Sequence, residues 1–406
     1  MIIPIIISLL CIFFIFQRPL IEKNILPEYF SYVDEFSVAI FIFLFLFSLL
    51  FIGRMKKSVV KILILLCLFF IYGVFSGSYN HNNLKMTIFG TADYIKNFFL
   101  IVPFSFVHLK EERIKRIYNI LRDVGIFIGI MSVVLVIRYL LELPEKNFIG
   151  EIVEIRLGLP RVSPFFMHPN MIGLYSILIL CCELNIEKKL NFRHIFLFFN
   201  ILFSLSRMVW ISFFVLIIAK YLYNKATFKK IAILGLFFVF IVPIVSIVFE
   251  KTKEEFMDEK YYRGYVLKKS LEIWKDSPLV GFGPGTYGGV VSVKFGSPLY
   301  EKYNFSKKWY QYGLSRFHGL DTFWPQILVE CGVLGTMIFI YFLFFLAKGA
   351  KELSMKIDND FIANLTKGLS LFSFVIFIYL FGSGLNLAPI LFPFSILYGL
   401  MFGTKN

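Results

Sequence analysis

With 406 residues, 58% of them hydrophobic and only 17% charged, this chain is too apolar for an ordinary soluble domain. Its formal charge of +15 would suit a nucleic-acid binder, but most Lys and Arg sit in short clusters between apolar runs, as anchors at the ends of membrane helices do. The five cysteines, Cys11, Cys67, Cys181, Cys182 and Cys331, lie in or beside apolar segments without metal-ligand spacing, so neither a disulfide nor a metal site is expected.

Runs of about 17–25 apolar residues cross a hydrocarbon core as helices, because lipid offers no partner to exposed backbone groups. The expected fold is therefore an all-α, polytopic membrane helical bundle of about twelve spans. The N-terminus is apolar from Ile2 to Phe16 but has neither a basic leader nor a small-residue cleavage site, and reads as a first span over 2–17. Spans follow at 36–53, 59–76, 87–107 and 117–143. The fourth holds Asp93 and Lys96, three residues apart and so placed to neutralise each other as a buried pair. Arg138, near the outer end of the fifth, is either a substrate contact or a snorkelling anchor. The run RVSPFFMHPNMIG then opens the sixth span, 163–183, and makes Arg161, His168 and Asn170 polar candidates for substrate binding. The seventh and eighth spans, 193–205 and 208–223, are short and joined through Ser206 and Arg207. An arginine there costs on the order of 3 kcal/mol unless it is paired or lies at the rim. Arg207 is thus either an interfacial anchor or a functional charge. The remaining spans are 231–249, 321–347, 361–382 and 385–403.

Alternate short loops carry the basic clusters Arg54–Lys57, Lys110–Arg116, Lys188 and Lys189 with Arg193, Lys225–Lys230 and Lys348–Lys356, which places both termini in the cytoplasm. Residues 1–406 then form a single integral domain, with 250–320 as one long extracytoplasmic loop between spans nine and ten. Within that loop Asp258 is expected to cap a helix running to about Lys275, with Tyr262, Val266, Leu267, Leu271 and Trp274 along one side and Arg263 at its edge. The helix leads to GFGPGTYGG, whose glycines, Gly283 and Gly285 among them, would let backbone amides approach an anion. That run matches neither the P-loop nor the dinucleotide fingerprint. At the far end RFHGLD carries His318 and Asp321 into the tenth span. Of the five histidines only His81, His168 and His318 fall on the outer side.

Four features together resemble the O-antigen ligase and O-antigen polymerase superfamily of bacterial envelope enzymes. They are SLSRMVW at Ser204–Trp210, the Arg263 helix followed by PLVGFGPGTY, the HPNxxG run at His168–Gly173, and QILVECGVLG at Gln326–Gly335. The resemblance implies an inverting, metal-independent glycosyltransferase without a cofactor. It would move a glycan from an undecaprenyl-diphosphate carrier to an acceptor sugar, lipid A–core or an equivalent, on the outer face of the inner membrane. It also implies that Arg207 and Arg263 hold the diphosphate and that a histidine at the end of the long loop is the base. Here Asp321 stands in that column and His318 one turn earlier, so the base is His318 or Asp321. The alternatives are a polymerase joining lipid-linked repeat units, with a possible chain-length regulator as partner, and a flippase or transporter for the same lipid-linked glycan.

Overall fold

A computed structural model describes residues 2–22, 26–27, 56–80, 82–142, 148, 153–156, 158–165, 168–187, 189, 191–223, 258, 261–305, 322–385 and 387–404. The expected spans 36–53 and 231–249 lie outside the described residues, as do His81, His318 and Asp321.

Apolar composition and few internal breakers make nearly everything helical. In chain order the helices are α1 (Ile2–Glu22), α2 (Lys57–Tyr79), α3 (Leu84–Phe99), α4 (Ile101–Phe104) and α5 (Glu111–Leu140). A small hairpin of β1 (Ile155–Arg156) and β2 (Leu159–Pro160) precedes α6 (Pro169–Ile186), α7 (Phe192–Phe203) and α8 (Arg207–Tyr223). The polar loop supplies α9 (Tyr262–Asp276), α10 (Val290–Lys294) and α11 (Leu299–Lys302), and the chain closes with α12 (Phe323–Ser354), α13 (Asp360–Tyr379) and α14 (Ala388–Gly403).

Local chemistry sets the ends. Asn83 and Asn359 cap α3 and α13 by accepting from Lys85 N and Ile362 N. Pro169 sits in the first turn of α6, where a missing N–H costs nothing. Glu111 and Glu112 open α5 and Arg138 closes it, in the sense the helix dipole favours.

Five described helices, α2, α5, α6, α12 and α13, are long and apolar enough to cross a membrane, and shorter apolar helices include Phe192–Phe203 and Ala388–Gly403. This is a multi-pass, all-α membrane protein. The expected fourth span is divided at Leu100 into α3 and α4, and the sixth begins at Pro169, not at residue 163. Helix α12 is interrupted at Gly332, and the 22 residues beyond it, 333–354, span about 33 Å, enough for the roughly 30 Å of a hydrocarbon core.

Helix α13 packs against α6, α8 and α12, and so joins parts of the chain that are far apart in sequence. Small residues allow the close crossings: a Cβ on Gly368 of α13 would fall 2.5 Å from Cys182 Cα of α6. Between α5, α6 and α7 the contact is polar. Ser132 donates to Asn200 Oδ1 at 2.8 Å and Asn200 reaches Ser176 Oγ at 3.1 Å, all three being fully buried.

Candidate active site

The turn that presents Arg207 is built by two other arginines. After α7 the chain turns through Ser204–Ser206, with Leu205 held at φ +43°, where a side chain with a Cβ is strained by roughly 1–3 kcal/mol. The β1–β2 hairpin lies against this turn, since Val162 N–H donates to Phe203 O at 2.9 Å. Arg156 gives Nη1 to Leu205 O at 3.0 Å. Arg161 is 6% exposed and directs its fork three ways: Nε to Ser204 O (2.9 Å), Nη1 to Glu154 Oε2 (2.6 Å) and Nη2 to Asn170 Oδ1 (2.6 Å). Both carbonyls of the turn are thereby held by guanidinium groups, and the first residue of α8 is Arg207. The third side of the turn is Gly173, where an added Cβ would meet Val209 at 2.5 Å. Burial works to raise the pKa of Glu154, but the hydrogen bond and charge of Arg161, with Arg156 and His168 beyond, outweigh it and hold the carboxyl below its usual value.

The glycine-rich run is held by the opposite device, a buried acceptor, the carboxyl group of Glu330. Helix α12 breaks at Gly332, whose φ of 59° and ψ of −169° interrupt the ladder. The groups freed by that break exchange partners with the loop. Val333 and Leu334 donate to Pro278 O (2.9 Å) and Leu279 O (3.2 Å), while Phe282 and Gly283 donate to Val329 O (3.0 Å) and Glu330 O (2.6 Å). The Glu330 side chain, fully buried, finishes the join: Oε1 accepts Tyr287 N–H at 2.8 Å and Oε2 accepts Tyr94 O–H. From α2, Ser76 donates to Val280 O at 2.8 Å, and just beyond its end Asn80 donates to Gly281 O at 2.7 Å. Behind the run Val266, Ile273, Phe282, Tyr287, Leu299, Tyr300, Tyr303 and Val329 form a small core of their own.

This geometry gives Gly283 and Gly285 a packing reason that the sequence does not reveal. A Cβ on Gly283, at φ +97°, would lie 2.4 Å from Gly77 Cα, and one on Gly285 would lie 2.6 Å from Met86 O. The Gly283 amide is already donated to Glu330 O. Helix α9 begins at Tyr262, not at Asp258, and its buried line runs through Val266, Ser270 and Ile273, with Leu271 facing out at 45% exposure. Arg263 stands in its first turn, half-buried, as Arg207 stands half-buried at the start of α8. Asp93 and Lys96 do pair, at 2.9 Å, but with Asp93 55% exposed they are not a buried pair. Arg138 lies 5.7 Å from the Phe148 ring centroid, a cation–π contact at the helix end. His168, exposed, is the residue before α6.

The two constructions meet at the end of α13. Gly382 lies against Met208, next to Arg207, since a Cβ there would be 2.4 Å from Met208 Cγ. Phe377 and Phe381 lie 5.1 and 5.6 Å from the ring of Trp324, close to where the chain enters α12 after the long loop. Tyr379, wholly buried, lies beside Arg161 and Asn170. The Arg207 turn and the start of α12 therefore share one end of the bundle. Glu330, Tyr94, Glu154 and Arg156 are the organising residues that the sequence reading did not single out. A carboxylate inside an apolar run was the available signal for Glu330.

A family model described as O-antigen ligase matches residues 194–340, a stretch that runs from α7 across the polar loop into α12. No curated protein matches the chain.

Proposed function

We propose that this chain, which residues 194–340 place in the O-antigen ligase superfamily, is a ligase that transfers glycan from an undecaprenyl-diphosphate carrier to lipid A–core or an equivalent acceptor sugar. The coarser statement, a membrane glycosyltransferase of the O-antigen ligase or polymerase kind, follows from the family match and the multi-pass fold. The observation that carries the finer reading is that the matched stretch contains both Arg207 and Arg263, each in the first turn of a helix next to a firmly held turn or loop.

In this reading the reaction takes place outside the inner membrane, with both termini in the cytoplasm and 250–320 as the outer loop of one integral domain. The acceptor hydroxyl oxygen attacks the anomeric carbon from the face opposite the diphosphate, and the bond from that carbon to the phosphate oxygen breaks with inversion. The hydroxyl proton passes to His318 or Asp321, and the electron pair leaves on the diphosphate. Arg207 and Arg263 stabilise that departing charge, guanidinium groups being suited to bidentate contact with phosphate oxygens. Arg161 is bonded to Asn170 and to the turn, so the part of this pair is to position Arg207. His168 and Arg138 remain candidates for contact with the glycan.

The test is transfer by the purified full-length protein in detergent, given a defined undecaprenyl-diphosphate-linked donor. Product on lipid A–core, lost in Arg207→Ala and Arg263→Ala, supports the ligase reading. Extension of lipid-linked units alone makes the protein a polymerase. No new glycosidic bond with either acceptor sinks both and favours a flippase. A loss of transfer in Asp321→Asn but not in His318→Gln assigns the base to Asp321.

A further inference from the structure

The last turn of α6 and the first of α7 bring together three side chains that the transfer chemistry does not use. Glu183 and Glu187, one turn apart, and His194 offer ligand atoms that all lie within 4.8 Å of one another. Thirteen residues separate Asn170 from Glu183, so this cluster is roughly 20 Å along α6 from the Arg161 fork.

Two of the three are buried with an unanswered atom. Glu183 and His194 are each 2% exposed, and Glu183 Oε2 and His194 Nε2 have no hydrogen-bond partner among the described residues. The other oxygen of Glu183 is engaged. Tyr118 donates to Oε1 at 2.8 Å, and Arg122 Nη1 stands 3.9 Å from it. This leaves Oε2 as the atom turned to the cluster. Asn191 N–H donates to His194 Nδ1 at 2.9 Å in the capping box of α7, and Asn191 O lies 3.1 Å from the same nitrogen. Binding an ion through Nε2 shifts the ring proton to Nδ1, which then exchanges the Asn191 N–H for the Asn191 carbonyl 3.1 Å away and turns the Nε2 lone pair to the carboxylates, the arrangement common in metal-binding histidines. With the proton on Nε2 instead, a buried donor has no acceptor. Glu187, partly exposed, is steadied by Asn191 Nδ2.

The electrostatics leave room for a cation beside Arg122, which stands 3.9 Å from Glu183 Oε1. Two carboxylates one turn apart repel, and they sit where the helix carbonyls already present partial negative charge. The last turn of α6 holds no basic residue.

We propose that Glu183, Glu187 and His194 bind one divalent transition-metal ion, Zn²⁺ or Mn²⁺, which clamps the corner between α6 and α7. A set of one imidazole and two carboxylates suits ions of this class. Ligand bonds of about 2.1 Å bring donor atoms to roughly 3–4 Å apart, so modest rotamer changes close the site. Water or solvent completes the coordination on the Glu187 side. The ion is structural: it fixes the end of α6 whose other end carries Asn170.

The experiment uses the full-length protein in detergent, stripped with a chelator and then titrated with Zn²⁺ or Mn²⁺ alone. Expected are saturable binding of one ion per chain by calorimetry, a higher melting temperature with the metal, and visible absorption bands when Co²⁺ is used instead. Glu187→Gln, at the least buried position, should fold and weaken binding by more than the roughly tenfold that losing an outer-shell partner costs. His194→Gln should do the same and remove the imidazole signature from the Co²⁺ spectrum. Absence of stoichiometric binding, or equal binding by wild type and both variants, overturns the proposal. Because the readouts are metal binding and melting, their outcome is independent of whether the chain proves to be a ligase.

Discussion

Arg161 and Glu330 are both buried ionisable side chains at the motif-bearing end of the bundle, yet they hold their surroundings in opposite ways. Arg161 is a cation that gathers acceptors: one backbone carbonyl, one amide oxygen and one carboxylate. Glu330 is a carboxyl group that gathers donors, a backbone N–H and a tyrosine hydroxyl, while its own carbonyl receives Gly283. The first can be relieved, because Glu154 is 54% exposed and can turn to water. The second cannot, because Glu330, Tyr287 and the loop run from Gly281 to Gly288 are all buried. A buried polar side chain organises a backbone when its partners have no other choice. By that measure the Glu330 join should be the stiffer of the two and the Arg161 fork the more adjustable.

Replacing each side chain is the most direct way to break the comparison. Glu330→Ala leaves the Tyr287 N–H and the Tyr94 hydroxyl without acceptors and opens a cavity, for an expected loss of roughly 3–5 kcal/mol. Thermal melting in detergent should show it as a large drop, with glycan transfer abolished; a melting temperature within a degree of wild type would mean that the join is held by backbone alone. Arg161→Met keeps the volume but frees Ser204 O and Asn170, and about 2–3 kcal/mol should be lost. Transfer should fall with it, since the Leu205 strain is no longer opposed next to Arg207. If Arg161→Met loses more than Glu330→Ala, the ranking of the two joins is reversed.

Smaller changes sharpen the contrast. Gly283→Ala places a Cβ 2.4 Å from Gly77 Cα at a φ of +97°, and about 2 kcal/mol of destabilisation is expected from strain and overpacking. Gly77 has no side chain to move aside, so relief must come from the backbone. The smallest effect concerns pH. Glu154 has its pKa lowered in the folded protein, so its pairing stabilises above the unfolded carboxylate pKa and is lost as pH falls through the lower, folded value. With half its side chain exposed the contribution is at most about 1 kcal/mol. Melting temperature should therefore decline slightly more with acidification in wild type than in Glu154→Gln.

Much of this protein was legible in one dimension. Apolar runs fixed its membrane character and its helices, because hydropathy and helical period are properties of neighbouring residues. The short motifs around Arg207, His168 and Glu330 pointed to the family, and the polar loop stood out by contrast with everything else. Other features were misjudged for a common reason. Asp93 and Lys96 were placed as a buried pair although Asp93 is exposed, and the α9 stripe was drawn through Leu271 where the fold buries Ser270 and Ile273. Which face of a helix is covered depends on what packs against it, and no local pattern states that.

The sequence by itself determined that this is a multi-pass helical protein that resembles the O-antigen ligase superfamily, with its conspicuous polar residues in a few short motifs. Only the tertiary structure decided how those motifs are joined. The broken ladder at Gly332 left backbone groups that 278–283 could pair, and the turn before Arg207 left carbonyls that Arg156 and Arg161 could hold. In a lipid-facing bundle every such group must find a partner inside the protein. Those partners lie far along the chain, which is why pairing, unlike hydropathy, could not be read residue by residue.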